Sequence, residues 1–201
     1  MSTMRHTRRT VLDRARREFR ALDGLVARLS PRDWARPVPR PPTRDPWTVK
    51  DALAHIVYWK EHTARVIRGE RRPPEMRGLD VNQINRLVYE RWRGRRPNDV
   101  LAWHRTVHAE VLETLARTPE EWFRSRDRGP RWPADLDGHS AAHRARDIEA
   151  ALAAGPGTSG DGTAPAAAAG ASARRAKPRS ARAPGATPRA RRVKRRASSR
   201  S

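Results

Sequence analysis

The strongest structural signal in the sequence is the stretch Trp47-Thr48-Val49-Lys50-Asp51-Ala52-Leu53-Ala54-His55. A threonine followed three residues later by an acidic residue, and then by apolar residues at helical spacing, is typical of a helix start. We therefore predict that Thr48 caps a helix and that Asp51 supplies the carboxylate of the capping pair. His55 then lies two turns into the helix, which makes it the first candidate for chemistry.

The same helical period recurs on both sides of this stretch. Apolar residues spaced by three and four indicate amphipathic helices, and one face of the helix that follows Thr48 steps through Leu53, Ile56, Val57, Lys60 and Ala64. We place five helices at about residues 7–29, 48–69, 80–92, 98–115 and 136–153. No segment alternates as a strand would. The pattern predicts an all-α bundle of four or five helices with long loops.

Helix ends and connections follow from local residues. We expect Asn98 or Asp99 to cap the fourth helix, and Asp135 or Asp137 to start the last one. Residues 37–46 carry five prolines, which predicts an extended connection. Residues 118–135 are predicted to be irregular.

The composition changes sharply near residue 153. All seven Trp, both Phe and both Tyr lie upstream, whereas Val193 is the only branched aliphatic residue downstream. A segment with so few apolar side chains cannot bury enough surface to offset the entropy of ordering it. We therefore predict a helical domain at residues 5–153 and a disordered basic tail, rich in Ala, Pro, Arg and Lys, at residues 154–201.

The positive charge is concentrated in that tail. The chain carries a formal net charge of +22, and residues 154–201 hold twelve Arg and Lys against the single acid Asp161. Such a tail resembles the basic low-complexity tails of bacterial histone-like proteins, and we expect it to bind nucleic acid backbones without sequence preference. The alternative is a solubilising appendage with no partner. An anionic membrane surface is a weaker option, because no apolar face accompanies the charge.

Several classes of site are excluded by composition. The chain has no cysteine, which rules out disulfides, thiolate metal ligands and cysteine nucleophiles. No apolar run has the length of a membrane span or a signal-peptide core, so we predict a soluble, cytoplasmic protein. No serine–histidine–acid order, phosphate-binding glycine loop or paired-carboxylate arrangement stands out.

The histidines offer the best route to chemistry. His139 and His143 are one turn apart, so they share one face of the last predicted helix. Together with His55 from a facing helix they could hold a divalent metal and leave positions open for water and substrate. Zinc or nickel would suit three nitrogen ligands. His104 and His108 have the same spacing but lie among apolar residues, and we interpret them as structural.

Several motifs together resemble the DinB-like superfamily, and within it the ClbS/DfsB group of four-helix-bundle proteins. The similarity covers about residues 8–153 and not the tail. The motifs are the stretch at 47–55, the segment Asp80-Val81-Asn82-Gln83-Ile84-Asn85 through Tyr89, and Gly138-His139-Ser140-Ala141-Ala142-His143-Arg144 with Asp147-Ile148.

This resemblance implies a fold, a metal and a class of reaction. Metal-binding members of the superfamily use one histidine of the second helix and two of the last, which correspond to His55, His139 and His143. Some of them are thiol transferases and isomerases that use bacterial low-molecular-weight thiols, whereas the ClbS-like branch includes a hydrolase that opens the cyclopropane of a DNA-alkylating toxin. We therefore expect a metal-dependent hydrolase or thiol-transfer enzyme that acts on a small electrophilic molecule. Its expected role is detoxification or self-protection. The alternative is a non-catalytic helical-bundle binding protein that associates with DNA through its tail.

Overall fold

The computed structural model describes residues 6–124 and 136–154 of the chain. These residues form α1 (Arg8–Val26), α2 (Pro31–Trp34), α3 (Val49–Ile67), α4 (Val81–Trp92), α5 (Pro97–Arg117), α6 (Glu120–Arg124), α7 (Gly138–His143), a π-helical turn (Arg144–Glu149) and α8 (Ala150–Ala153). No β-strand occurs in the described ranges, so the all-α prediction is confirmed. The predicted tail lies outside them except for Ala154, and its disorder stays a prediction.

The central element is α3, the helix that begins at the stretch singled out in the sequence. Every residue from Val49 to Tyr58 is buried. This helix packs most extensively on α5, and it also contacts α2, α4, α7 and the π-helical turn. A helix that is buried on all sides at its start is surrounded by other elements, because packing on one face alone would leave the rest exposed.

The first turn of α3 is held by a buried carboxylate. Asp51 accepts hydrogen bonds from the backbone N–H and the hydroxyl of Thr48, at 2.9 and 2.8 Å. Its other oxygen lies 3.0 Å from Lys50 Nζ, and only 5% of the Asp51 side chain is exposed. Lys50 in turn donates to the carbonyl oxygens of Trp92 and Arg93, at 2.7 and 2.8 Å. One carboxylate thus starts α3, and its ion-pair partner satisfies orphan carbonyls where α4 ends.

Two boundaries differ from the prediction. Helix α5 begins at Pro97 with Arg96 as its N-cap, so neither Asn98 nor Asp99 is the cap. Proline favours the first helical position because that position needs no N–H donor and its φ suits a helix. Asp99 instead accepts from the backbone N–H of Arg96 at 3.2 Å. In the segment predicted as irregular, Glu120–Arg124 is a short helix that buries Phe123. Residues 125–135 lie outside the described ranges.

The last helix contains a π-helical turn that the sequence did not predict. It starts after Asp137, as predicted, and runs as α7, the turn Arg144–Glu149 and α8. Such turns are rare and are found mostly as single insertions in α-helices, often at functional sites. Here the turn buries Asp147 and Ile148.

Lys60 brings a further charged side chain into the core. Lys60 is 3% exposed, and its Nζ has no hydrogen-bond partner within residues 6–124 and 136–154. Burial lowers the pKa of Lys60 from 10.5 to about 8, against the opposing influence of Glu18 and Asp137. The lysine predicted to share the apolar face of α3 is therefore truly inside the bundle, and its ammonium form opposes folding.

A search for membrane-spanning helices among the described residues finds none that is both long enough and apolar enough.

The Asp51 cap gives the first prediction. Replacing Asp51 with Ala should lower the free energy of unfolding by about 3 kcal/mol, because it removes a cap and leaves the buried ammonium of Lys50 without its carboxylate. Asp99→Ala is the matched control, since Asp99 occupies the same third position of α5 but its side chain is 36% exposed. It should cost less than about 1 kcal/mol. Urea unfolding of both variants measures the difference, and equal losses would contradict the role assigned to Asp51.

The buried amine of Lys60 gives the second prediction, which concerns the pH dependence of stability. The unfolded chain binds a proton on Lys60 up to about pH 10.5, whereas the folded chain releases it near pH 8, so stability rises with pH in this window. The unfavourable contribution is about 3 kcal/mol at pH 7 and about half of that at pH 9.5. Lys60→Met should therefore be the more stable protein at pH 7, and its advantage should shrink by about 2 kcal/mol at pH 9.5. Urea unfolding at the two pH values tests this, and an advantage independent of pH would refute it.

Candidate metal centre

His55 is positioned by the buried first half of α3. The residue is 4% exposed. Its ring lies between two tryptophans of the same segment, with centroid distances of 4.8 Å to Trp47 and 6.3 Å to Trp59. Because Trp47 comes directly before the capped first turn and Trp59 lies one turn after His55, the cap that begins α3 also orients this imidazole.

His139 and His143 approach His55 from α7. The ring centroids are 5.2 Å apart for His55 and His139, and 4.4 Å apart for the other two pairs. One ring nitrogen from each residue can be chosen so that all three atoms lie within 4.8 Å of one another. This is the only such group of histidine and acidic side chains within the described ranges. The structure therefore brings together the three histidines that the sequence singled out, and their role as metal ligands stays a prediction.

The π-helical turn adds a carboxylate to the group. Asp147 Oδ2 lies 2.5 Å from His143 Nδ1, and Arg146 Nε lies 2.9 Å from Asp147 Oδ1. Burial works to raise the pKa of Asp147, but the hydrogen bonds from His143 and Arg146 lower it to about 2. The ionised carboxylate only accepts, so His143 Nδ1 donates a proton to it and Nε2 is the ring nitrogen left to face His55. That Nε2 lies 3.2 Å from His55 Nε2.

Sequence reasoning did not assign Asp147 to the site. Asp147 follows His143 at the same one-turn spacing that separates His143 from His139. The spacing therefore indicated that Asp147 could lie beside the histidines. That step alone could not tell a partner of the imidazole from a solvated acid, because the outcome depends on the π-helical turn and on burial against α3.

Burial favours the neutral form of His55 and His139. The pKa of His55 lies well below its ordinary value because of burial first and of the neighbouring His143 and His139 second. Burial, followed by the influence of His143 and Arg146, lowers the pKa of His139 to about 4. In the described part of the chain, His139 Nε2 has no hydrogen-bond partner. Neutral rings present lone pairs at neutral pH, the form in which histidine binds metals.

An open cavity of about 860 Å³ adjoins the three histidines. Its wall includes Trp47 and Trp59. The indole N–H of Trp59 donates to Asn85 Oδ1 at 3.0 Å. Three arginines, Arg40, Arg44 and Arg146, also line the cavity. The cavity is large enough for a small organic molecule in contact with the imidazoles. Trp92 and Trp103 are not among the residues that line the cavity, and their rings stack on each other with centroids 4.2 Å apart.

The remaining histidines lie outside this group. His104 is 1% exposed, and Phe19 stacks on both His104 and His108, at centroid distances of 4.9 and 3.7 Å. Burial lowers the pKa of His104 to about 3 and that of His108 to about 4. Both fit the prediction that they are structural. His62 stands beside Tyr58 and Trp59, and it is not among the residues that line the cavity.

Comparison with known proteins identifies the family. Residues 15–150 match the mycothiol maleylpyruvate isomerase N-terminal domain, and this match spans more than half of the chain. The protein therefore belongs to that family, whose domain is DinB-like, and the predicted DinB-like fold is confirmed. A closer relation to the ClbS/DfsB group stays a prediction. No curated protein and no solved structure matches the chain.

Proposed function

We propose that this member of the mycothiol maleylpyruvate isomerase N-terminal domain family is a metal-dependent enzyme of the hydrolase or thiol-transfer type. His55, His139 and His143 would hold a divalent transition metal, and a small electrophilic molecule would react in the adjoining cavity. The observation that carries the proposal is the convergence of three imidazoles, from two helices, beside an open cavity.

The residues present fit such an ion. A structural zinc site is closed by four protein ligands, whereas three imidazoles leave coordination positions open. The buried His139 Nε2 lacks any partner in the described ranges, as expected for an atom that awaits a ligand. Three nitrogen donors suit zinc or nickel. When bound, such an ion supplies Lewis acidity toward water or a thiol.

The chain's own residues prepare the site in three ways. Asp147 holds the proton on His143 Nδ1 and so keeps the ring turned with its Nε2 toward His55. Arg146 neutralises Asp147 and holds that carboxylate in place. The indoles of Trp47 and Trp59 give the cavity apolar walls, which limit the access of water to a reacting molecule.

The family narrows the reaction class. Its description names mycothiol, a thiol, and an isomerase, which supports thiol chemistry over simple binding. A role in detoxification or self-protection would be consistent with a thiol that captures an electrophile. The competing hypothesis, a non-catalytic binding protein, requires no metal at the histidines.

Metal content tests the proposal. Purified protein should contain about one zinc or nickel ion per chain by elemental analysis, and His139→Ala combined with His143→Ala should reduce this to below about a tenth, because two of three ligands are lost. His104→Gln combined with His108→Gln is the matched control, since this pair has the same spacing on α5. The control should keep its metal.

Two outcomes would contradict the proposal. One is the absence of stoichiometric metal even after incubation with zinc or nickel. The other is metal that survives in the His139/His143 double variant, which would place the ion elsewhere. Circular dichroism of each variant verifies that its helices are intact. A protein with no metal and intact helices would favour the non-catalytic alternative.

We also propose that residues 154–201 bind nucleic acid. The support is the excess of positive charge in the sequence of this tail, which has twelve basic residues and one acidic residue. The segment contains no aromatic residue on which bases could stack, so the interaction would be electrostatic and independent of sequence. Such a tail would keep a detoxifying domain close to DNA.

Tail binding is tested by neutralising the charge in the full-length chain. Replacing the twelve Arg and Lys with Gln should weaken binding to a random-sequence duplex by about a hundredfold or more at 50 mM salt, since few phosphate contacts remain. The unmodified protein should lose affinity steeply between 50 and 200 mM salt. Fluorescence anisotropy measures both. Affinity and salt dependence unchanged by the substitutions would show that the tail is only an appendage.

A further inference from the structure

A stack of three side chains connects the proline-rich connection to the candidate metal centre. The guanidinium of Arg40 lies flat over Trp47, with its Cζ 3.5 Å from the ring centroid. The Trp47 ring in turn packs against the His55 ring, with the two ring centroids 4.8 Å apart. Both Arg40 and Trp47 line the cavity. A fixed positive charge therefore stands one aromatic ring away from the histidines.

Two donors in this stack lack acceptors. Arg40 Nη1 and Trp47 Nε1 are both buried, and neither has a hydrogen-bond partner in the part of the chain that the structure describes. Both groups can only donate. Unsatisfied buried donors are uncommon in folded proteins, and each calls for a partner. Both belong to side chains that line the cavity, so a bound molecule with acceptor oxygens would supply the partners that they lack.

The charged residues around the cavity also favour a ligand with negative charge. Asp147 is the only acid among the described residues that line the cavity, and its carboxylate already contacts His143 and Arg146. Arg44 donates to Asn82 Oδ1 at 3.0 Å. Arg40 has no ion-pair partner among the described residues, and burial lowers its pKa. A partly buried guanidinium without a counter-ion is costly, and an anionic ligand would remove that cost.

The backbone holds Arg40 in place before any ligand arrives. Arg40 stands between Pro39 and Pro41, whose rings fix the backbone torsion φ. The connection is tied to the start of α3, because the Val38 N–H donates to the Trp47 carbonyl at 2.8 Å. A guanidinium held in this way loses little entropy on binding, and its planar fork matches the two oxygens of a carboxylate.

We propose that Arg40 is the residue that binds a carboxylate of the molecule that reacts at the candidate metal centre. Arg44 and Arg146 add long-range attraction for the same negative charge. The inference rests on the proposed function for the identity of the reacting centre. The recognition of a carboxylate stands on the Arg40–Trp47 wall itself.

A matched pair of probes tests the inference. The thiol 3-mercaptopropionate and its amide, 3-mercaptopropionamide, have the same shape and differ in charge. With cobalt-loaded protein, the charge-transfer band of bound thiolate reports affinity. We expect the acid to bind about tenfold more tightly than the amide, the effect of one charge-assisted contact. In Arg40→Met, which keeps a long apolar side chain on Trp47, the preference should fall to within about twofold.

Further variants make the result specific. Arg71→Met is the matched control, because Arg71 is exposed and does not line the cavity. It should keep the tenfold preference. Arg40→Lys, which keeps the charge but loses the fork, should fall in between. A tenfold preference that persists in Arg40→Met would overturn the inference, since the probe's carboxylate would then bind the metal directly. Stronger displacement of the acid by inorganic phosphate than by propionate would overturn the assignment to a carboxylate.

The two proposals fail in different ways. If the protein takes up no cobalt, the proposed function fails, and the probe pair is titrated into metal-free protein while the indole N–H resonance of Trp47 is followed by NMR. A shift caused by the acid but not by the amide, and lost in Arg40→Met, would still support carboxylate recognition. Equal shifts from both probes would overturn it.

Discussion

The buried contact between Asp51 and Lys50 is the constraint on which the rest of the structure depends. It lies where α3 begins, and α3 is the helix that most of the other elements contact. Because Asp51 starts α3 while Lys50 satisfies the carbonyls at the end of α4, the two helices cannot shift relative to each other without exposing a buried charge. The distance along α3 from this contact to His55 is one turn, so the position of the imidazole follows from the cap.

Local sequence was sufficient for most of the fold because helices are local structures. The apolar period located the main helices to within a few residues, and Thr48 and Asp51 marked the start of α3 correctly. The short helix at Glu120–Arg124 was missed because it is a single turn stabilised by burial of Phe123, a tertiary effect. The start of α5 at Pro97 could have been read from the preference of proline for a first helical turn. The π-helical turn has no comparable local signal.

The two histidine pairs show how far spacing alone can go. His104/His108 and His139/His143 have the same one-turn spacing, and burial lowers the pKa of His104, His108 and His139 alike. They differ in what they face. Phe19 covers the first pair, whereas the second meets His55 and has a carboxylate behind it. Resemblance to a family separated them at the level of sequence, because it carried information on long-range packing that periodicity does not contain. Its motifs included Asp147 without giving that residue a role, and they did not extend to Arg40.

The charges of the site explain why an aromatic wall and an arginine accompany the histidines. Imidazole ligands add no negative charge to offset a dication, and Asp147, the one carboxylate among the described residues that line the cavity, is already shared with Arg146. Arg40 adds a further positive charge, spread over the face of Trp47, where the cation–π contact partly replaces the water that the guanidinium has lost. A metal ion at the histidines would therefore leave the cavity with an excess of positive charge that no described residue neutralises. Such a site favours a reactant that carries negative charge of its own, either a thiolate at the ion or a carboxylate at Arg40, and a molecule with both groups would satisfy both ends of the cavity at once.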